Sequence, residues 1–286
     1  MKERRLVPRA EPTSYYGRPV LKRPVWTWEV PTYFFVGGMA GAASPLATAA
    51  RLAGNHALAR RASLVALAGI GVSPLLLISD LGRPERFYRM LRVFKPTSPM
   101  SVGTWMVSLF GGATALATPW HLVGLPGAGK PAGVLAAFAG PAVSTYTAVL
   151  IAQTSVPAWH EARRELPFVF AGSSMASAGG ATAALTPPRH AAPARALALG
   201  GAALELVADH AMTRRPNVRS AYDQPTHRAA RACTVLGAAL MAGRRARAGG
   251  LALCAGSALQ RLAVIRAGRI SAADPAATIG PQRERL

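Results

Sequence analysis

The chain has 286 residues, of which 51% are hydrophobic and only 16% are charged, and its formal net charge is +21. A soluble globular protein carries about 25% charged residues, so a low charged fraction together with long apolar runs favours a membrane protein. The basic residues lie between apolar runs rather than on one soluble face, which is typical of juxtamembrane charge and argues against a nucleic-acid partner.

Six apolar runs are suited to helices of about 20 residues, the length needed to cross a bilayer. They lie at about 31–52, 58–81, 102–122, 132–156, 166–187 and 191–211. Two weaker, Ala-rich runs follow at about 229–243, which contains Arg231, and 247–265, which ends near Arg261. The sequence therefore predicts an all-α integral membrane protein with about eight transmembrane helices in two four-helix bundles.

The hydropathy pattern divides the chain into three parts: an amphipathic N-terminal segment (1–30), an eight-helix membrane domain (31–265) and a polar tail (266–286). Arg4 and Arg5 are followed by Leu-Val-Pro-Arg instead of an apolar core, so no cleavable signal peptide is predicted. An even number of spans places both termini on one side, where 24 of the 33 Lys and Arg residues would lie. The positive-inside rule then predicts a multi-pass plasma-membrane protein with both termini cytoplasmic.

The segment "DLGRPERFYRMLRVFKPTSPMSVGTW" (80–105) joins the second and third runs and combines prolines, aromatic residues and positive charge. Its basic residues are Arg83, Arg86, Arg89, Arg92 and Lys95. Three other segments on the predicted cytoplasmic side share this composition. Such stiff, basic segments indicate a docking surface for a soluble subunit rather than ordinary solvated loops.

Acidic residues inside membrane spans are costly and are usually functional. Glu205 and Asp209 in "LELVADH" are four residues apart and so share one helix face. Two interpretations stay open for them: proton handling, or ion pairing with Arg231 or Arg214. Asp80, at the end of the second span, is a third candidate for proton handling, with a local ion pair to Arg83 as the alternative.

The cysteines and histidines predict neither a metal nor haem in this chain. Cys233 and Cys254 lack CxxC spacing and cannot alone hold an iron–sulfur cluster or zinc. A haem b anchor needs pairs of histidines deep in facing helices, whereas the six histidines lie at helix ends or in loops.

Tyr146, in the middle of the fourth run, is a different kind of candidate. Its hydroxyl needs a hydrogen-bond partner, which could be a quinone carbonyl or a neighbour in the packed core.

Three stretches resemble the membrane subunits of the polysulfide reductase (NrfD-like) family, over residues 15–180. They are "YYGRPVLKRPVWTWEVPTYFFVGGMAGA", "DLGRPERFYRMLRVFKPTSPMSVGTW" and "YTAVLIAQTSVPAWHEARRELPFVFAGSSMASAGG". The resemblance implies a haem-free membrane anchor that binds menaquinone or another quinone. It also implies two partners, a four-cluster ferredoxin-like iron–sulfur subunit and a molybdopterin catalytic subunit.

The resemblance further implies which residues form the quinone site. Tyr146 matches the family's tyrosine, Glu29 and Tyr33 stand where polar contacts of the first helix are expected, and Thr104 and Trp105 would border the site. The predicted function is electron exchange between a quinone pool and a soluble oxidoreductase, with a formate dehydrogenase-like complex as the first choice. Two alternatives are a secondary transporter that uses Glu205 and Asp209 as coupling sites and a haem b membrane anchor.

Overall fold

A computed structural model describes residues 19–124 and 126–284, and all of its regular structure is helical. Eight of its helices have at least 18 residues. The helices are α1 (Glu29–Leu52), α2 (His56–Ser79), α3 (Pro99–Leu122), α4 (Pro126–Ala152), α5 (Pro157–Glu161), α6 (Leu166–Leu185), α7 (Ala192–Thr213), α8 (Pro216–Tyr222), α9 (Pro225–Ala242), α10 (Ala246–Ala273) and α11 (Pro275–Glu284). Two 3-10 helices lie at Pro84–Leu91 and Pro188–His190.

The prediction of an all-α membrane protein is confirmed. The eight long helices coincide with the eight apolar runs, and five of them are long and apolar enough to cross a membrane: α2, α3, α4, α6 and α10. The remaining three are less apolar because α1 is rich in small residues, while α7 and α9 carry charged residues.

The long helices pack as two groups of four. Helices α1–α4 form the first bundle, α6, α7, α9 and α10 form the second, and α1 lies against α6 between them. Helices in lipid associate mainly by close van der Waals packing of small residues. Gly41 of α1 and Gly140 of α4 illustrate this, because a Cβ atom at either position would overlap the backbone of the other.

Two kinds of connection define the two ends of the molecule. One end, called here the long-loop end, carries residues 19–28, 80–98, 153–165 and 214–224; the short-loop end carries residues 53–55, 123–124, 186–191 and 243–245. At the long-loop end, Trp159 is almost fully buried, stacks on Trp26 at 5.4 Å and donates to the Val264 carbonyl at 2.7 Å. These contacts tie α5 and the chain before α1 to α10.

Some helix ends differ from the predicted ends. Helix α10 continues to Ala273, beyond the predicted end at 265, and α11 follows, so most of the predicted polar tail is helical. Arg261 was expected near the end of the last span, but it lies inside α10 and is fully buried. Of the predicted N-terminal segment, residues 1–18 lie outside the described residues, and α1 begins at Glu29.

The packing of α1 against α4 predicts a strong difference between two glycines. Gly140→Val should lower the free energy of unfolding by about 1–3 kcal/mol, because the added side chain forces the two helix backbones apart. A Cβ atom added to Gly112 of α3 would meet no heavy atom within 4 Å, so Gly112→Val is the matched control. Thermal unfolding in detergent would measure both, and equal midpoints would contradict the packing described for α1 and α4.

Candidate functional site

Two tyrosines from different helices meet inside the first bundle. The hydroxyl of Tyr33 on α1 is hydrogen-bonded to the hydroxyl of Tyr146 on α4. Tyr33 is only 3% exposed, and Tyr146 is half-buried. The structure thus brings together two of the five residues expected at the quinone site, from helices that are far apart in the chain.

Gly103 makes room for this tyrosine pair. It lies in the first turns of α3, within the "SPMSVGTW" stretch, and a Cβ atom there would overlap the ring of Tyr146. The turn before it is fixed by Ser98, which caps α3 by accepting a hydrogen bond from the Ser101 backbone at 3.4 Å. Sequence reasoning missed Gly103 as a site residue, although a glycine inside a recognisable motif was the available signal.

Two carboxylates lie next to the pair at the long-loop end. Glu29 is four residues before Tyr33 and so lies on the same face of α1. The Thr27 hydroxyl is hydrogen-bonded to Glu29 and lies 3.4 Å from the Asp80 carboxylate. Partial desolvation of this exposed side chain and the neighbouring charge of Glu29 raise the pKa of Asp80, while the Thr27 hydrogen bond opposes that rise. Glu29, Thr27 and Asp80 thus form a small acidic cluster one helical turn from Tyr33.

Thr104 and Trp105 make contacts elsewhere. The Thr104 hydroxyl donates to the Met100 carbonyl of its own helix at 3.0 Å. The Trp105 indole donates to the Val93 carbonyl at 3.3 Å and packs edge-on against Phe94, with 6.3 Å between ring centroids. Both residues follow Gly103 on α3, and Trp105 holds the 80–98 connection against that helix.

The 80–98 connection is almost entirely exposed. It contains the 3-10 helix Pro84–Leu91, and the five basic residues predicted for docking all lie on its surface: Arg83, Arg86, Arg89, Arg92 and Lys95. Large apolar side chains are exposed among them, including Tyr88 (50%), Val93 (65%) and Phe94 (59%). Within the described residues, Asp80 forms no salt bridge with Arg83 and instead faces Thr27 and Glu29.

A second polar cluster lies inside the second bundle around Asp209 of α7. His227 Nε2 on α9 is 2.7 Å from Asp209 Oδ1, and Gln260 on α10 donates to the same oxygen at 3.2 Å. Arg231 approaches the other carboxylate oxygen at 3.6 Å. Asp209 and His227 are both buried. Asp209 therefore does pair with Arg231, one of the two interpretations considered from the sequence. Its other two partners, His227 and Gln260, were not predicted.

Arg261 completes this cluster from α10. It is fully buried, and its Nη2 donates to the Phe170 carbonyl at 2.9 Å and to Ser174 Oγ at 3.0 Å. Its guanidinium lies 3.6 Å from the centre of the Phe170 ring, a cation–π contact. Glu205 of α7 is buried as well, at 3% exposure, and lies near enough for electrostatic attraction to Arg261, although the described residues show no ion pair between them within 4 Å. In the sequence, Arg261 lies near the end of a weak apolar run. An arginine in that position is expected to extend its charged group to the membrane surface, so nothing in the sequence indicated a place in the core.

The buried position of Arg261 predicts a large effect on stability. Arg261→Met should lower the free energy of unfolding by about 3–5 kcal/mol. It removes a buried guanidinium that donates to Phe170 and Ser174, and it also removes the positive charge nearest the buried Glu205. The double variant Arg261→Met, Glu205→Gln should recover much of that loss. Arg247→Met, at an exposed position of the same helix, is the control. Thermal unfolding would compare the four proteins, and no recovery in the double variant would refute the charge coupling.

The chain matches one protein family over more than half of its length. The family is described as Polysulphide reductase, NrfD, and the match covers residues 19–189, which include the tyrosine pair, the acidic cluster and the exposed 80–98 connection. No curated protein matches the chain. Members of this family are membrane subunits of molybdoenzyme complexes and generally associate with iron–sulfur and molybdopterin subunits. The chain therefore belongs to the polysulphide reductase, NrfD family.

Proposed function

We propose that this protein is the quinone-binding membrane anchor of a molybdenum or tungsten bis-pterin oxidoreductase, with a formate dehydrogenase-like complex as the first choice. In this proposal it exchanges electrons with a docked iron–sulfur subunit. The observation that carries the proposal is the hydroxyl pair of Tyr33 and Tyr146, which presents a hydrogen-bond donor inside the first bundle. The family supports the membrane anchor, and the quinone is our assignment.

The hydroxyl pair suits a quinone carbonyl for a simple reason. In a bond between two phenols one hydroxyl donates and the other accepts, so the accepting hydroxyl still has its own proton to give. No further hydrogen-bond partner of either hydroxyl is found in the described part of the chain. A quinone carbonyl is an acceptor only, so it can take a hydrogen bond from that remaining proton.

The acidic cluster would supply protons to this site. A bound quinone takes up two protons as well as two electrons when it is reduced. Asp80 is exposed at the long-loop end, Thr27 lies between it and Glu29, and Glu29 precedes Tyr33 by one helical turn. The raised pKa of Asp80 lets this carboxyl hold a proton at a higher pH than an ordinary aspartate. The cluster therefore offers a short route from solvent to the tyrosines.

The exposed 80–98 connection is proposed as the docking surface for the iron–sulfur subunit. Its five basic residues would pair with acidic groups, and the exposed apolar side chains between them would be buried in the complex. The excess of basic residues at the long-loop end persists when the buried Arg261 is left out of the comparison. We therefore propose that this end faces the cytoplasm, with the protein in the plasma membrane.

A separate proposal concerns Glu205 and Asp209. Their burial beside His227 and Arg261 favours proton handling in the second bundle, because such groups can exchange protons without contact with lipid. This part of the chain lies beyond the residues matched to the family. The family match over residues 19–189 supports an electron-transfer anchor over a secondary transporter.

Tyr146→Phe tests the quinone site because it keeps the ring and removes only the hydroxyl. Loss of one neutral donor should cost about 0.5–1.5 kcal/mol, which corresponds to roughly threefold to tenfold weaker quinone affinity or slower turnover. Activity with an artificial dye that reacts with the soluble subunits should be unchanged. Tyr222→Phe is the control, since it removes a buried hydroxyl that has no hydrogen-bond partner in the described residues. Unaltered quinone kinetics in an assembled Tyr146→Phe complex would show that Tyr146 only packs in the core and does not bind the quinone.

Asp80→Asn tests the proton route. As pH rises through the raised pKa of Asp80, the carboxyl loses its proton, so quinone reduction in the native protein should slow over that range. At low pH the variant should reduce quinone more slowly by on the order of 10-fold. This loss is smaller than the roughly 10²–10⁴-fold loss expected for a group that transfers a proton directly to the substrate. The rate of the variant should also depend less on pH. Asp223→Asn is the control, because Asp223 is an exposed acid at the same end whose pKa is lowered by its hydrogen bond and ion pair with Arg228. Identical pH profiles of Asp80→Asn and the native protein would exclude this route.

A further inference from the structure

The short-loop end of the molecule is strongly and uniformly positive. Its turns and the adjoining helix ends (residues 49–64, 117–135, 183–197 and 240–250) contain nine basic residues and no Asp or Glu. The nine are Arg51, Arg60, Arg61, Lys130, Arg189, Arg195, Arg244, Arg245 and Arg247. All 12 acidic residues of the chain lie elsewhere, so the charge at this end has no compensation from the protein itself.

Two neighbouring cavities open at this end of the first bundle, and Arg51 lines both. One, of about 350 Å³, is polar and is also lined by His56, Arg60 and His121. The other, of about 560 Å³, runs down the side of α4, with Lys130 at its rim and an apolar wall. That wall is formed by Leu52, Val134, Leu135 and Phe138. Phe138 is 80% exposed, so this groove faces the lipid.

Three of the polar side chains around these cavities, those of His121, Arg60 and Lys130, have no partner in the described structure. His121 is only 9% exposed, yet both of its ring nitrogens are buried without a hydrogen bond in the described structure. Arg51 has one hydrogen bond, to Ser63 Oγ at 3.3 Å. No ion pair or hydrogen bond is found for the side chains of Arg60 or Lys130 among residues 19–124 and 126–284. A buried imidazole without a hydrogen bond, on the wall of the cavity that Arg51 and Arg60 also line, indicates that a further polar group completes the site.

We propose that these two cavities form a binding site for an anionic phospholipid. The phosphate of its headgroup would lie among Arg51, Arg60 and Lys130, within reach of His121, and one acyl chain would lie along the groove past Leu135 and Phe138. Arginine and lysine bind phosphate through charge-assisted hydrogen bonds, and basic pockets between transmembrane helices bind anionic headgroups.

The shape of the site favours a lipid over free phosphate. A free anion would fill only the polar cavity and would leave the longer, apolar groove beside it unused. A phospholipid has both parts in the same order, a charged head at the membrane surface and a chain that extends into the bilayer. The site also gives three of the nine basic residues at this end a role, namely Arg51, Arg60 and Lys130, although the positive-inside rule predicts few basic residues there.

The experiment measures lipid retention by the full-length chain in its detergent-solubilised complex. Phosphatidylglycerol, phosphatidylcholine and inorganic phosphate are titrated separately, and bound lipid is counted by native mass spectrometry. Phosphatidylglycerol should bind at least about tenfold more tightly than phosphatidylcholine. Arg60→Gln and Lys130→Gln should each weaken it about fivefold, the effect of one basic residue near a lipid surface. Millimolar phosphate should not displace it.

Two control variants separate this site from general charge and from misfolding. Arg244→Gln removes a cation at the same end but outside both cavities, so it should leave binding unchanged. Lys130→Arg keeps the charge and should bind as the native chain does. Three results would overturn the proposal: equal binding of phosphatidylcholine, an equal loss in Arg244→Gln, or displacement of the lipid by phosphate, which would mark a free-anion site.

Discussion

The whole structure depends on how closely its helix backbones approach one another. In lipid no hydrophobic force drives one helix against the next, so contact between small residues must hold the bundles together. Gly41 meets Gly140 between α1 and α4, and a Cβ at Gly172 of α6 or Gly201 of α7 would overlap the facing helix. Ser144 of α4 adds a hydrogen bond to the Gly38 carbonyl of α1 at 2.9 Å. These contacts fix the relative positions of α1 and α4 and therefore allow Tyr33 and Tyr146 to meet.

Arg261 performs a related task between the two bundles. Its helix belongs to the second bundle, but its guanidinium also lies beside Gly38 of α1, where a Cβ would be 3.4 Å from Nη2. The Phe170 ring beneath it packs against Phe34, with 6.1 Å between centroids, and Phe34 packs in turn against the ring of Tyr33. A continuous set of contacts thus runs from the buried charges of the second bundle to the tyrosine pair of the first.

The sequence predicted the parts of this architecture that are local. Apolar runs located all eight long helices, although α4 begins six residues before its predicted start and α10 ends eight residues after its predicted end. The position of Tyr146 inside a span was evident from the same pattern. Contacts between helices distant in the chain were not predictable in this way. The bond from Tyr33 to Tyr146 and the space left by Gly103 depend on which helix faces meet. The extent of α10 was underestimated because Gln260, Arg261 and Arg266 resemble the polar end of a span, whereas Gln260 and Arg261 have partners inside the bundle.

The length of α10 has a consequence for electron transfer. Its 28 residues extend over about 42 Å, against a hydrocarbon thickness of about 30 Å. Its C-terminal turns pack against the long-loop end, where Gly268 packs on Trp159, Arg269 binds the Trp26 carbonyl and Ser271 accepts from the Ala158 backbone. The long-loop end therefore carries a helical rim beside its exposed 80–98 connection. In the proposed complex, an iron–sulfur subunit docked on the 80–98 connection would also meet this rim. Its height above the bilayer would then be set by helix geometry, so the tunnelling distance from its nearest cluster would vary little with thermal motion.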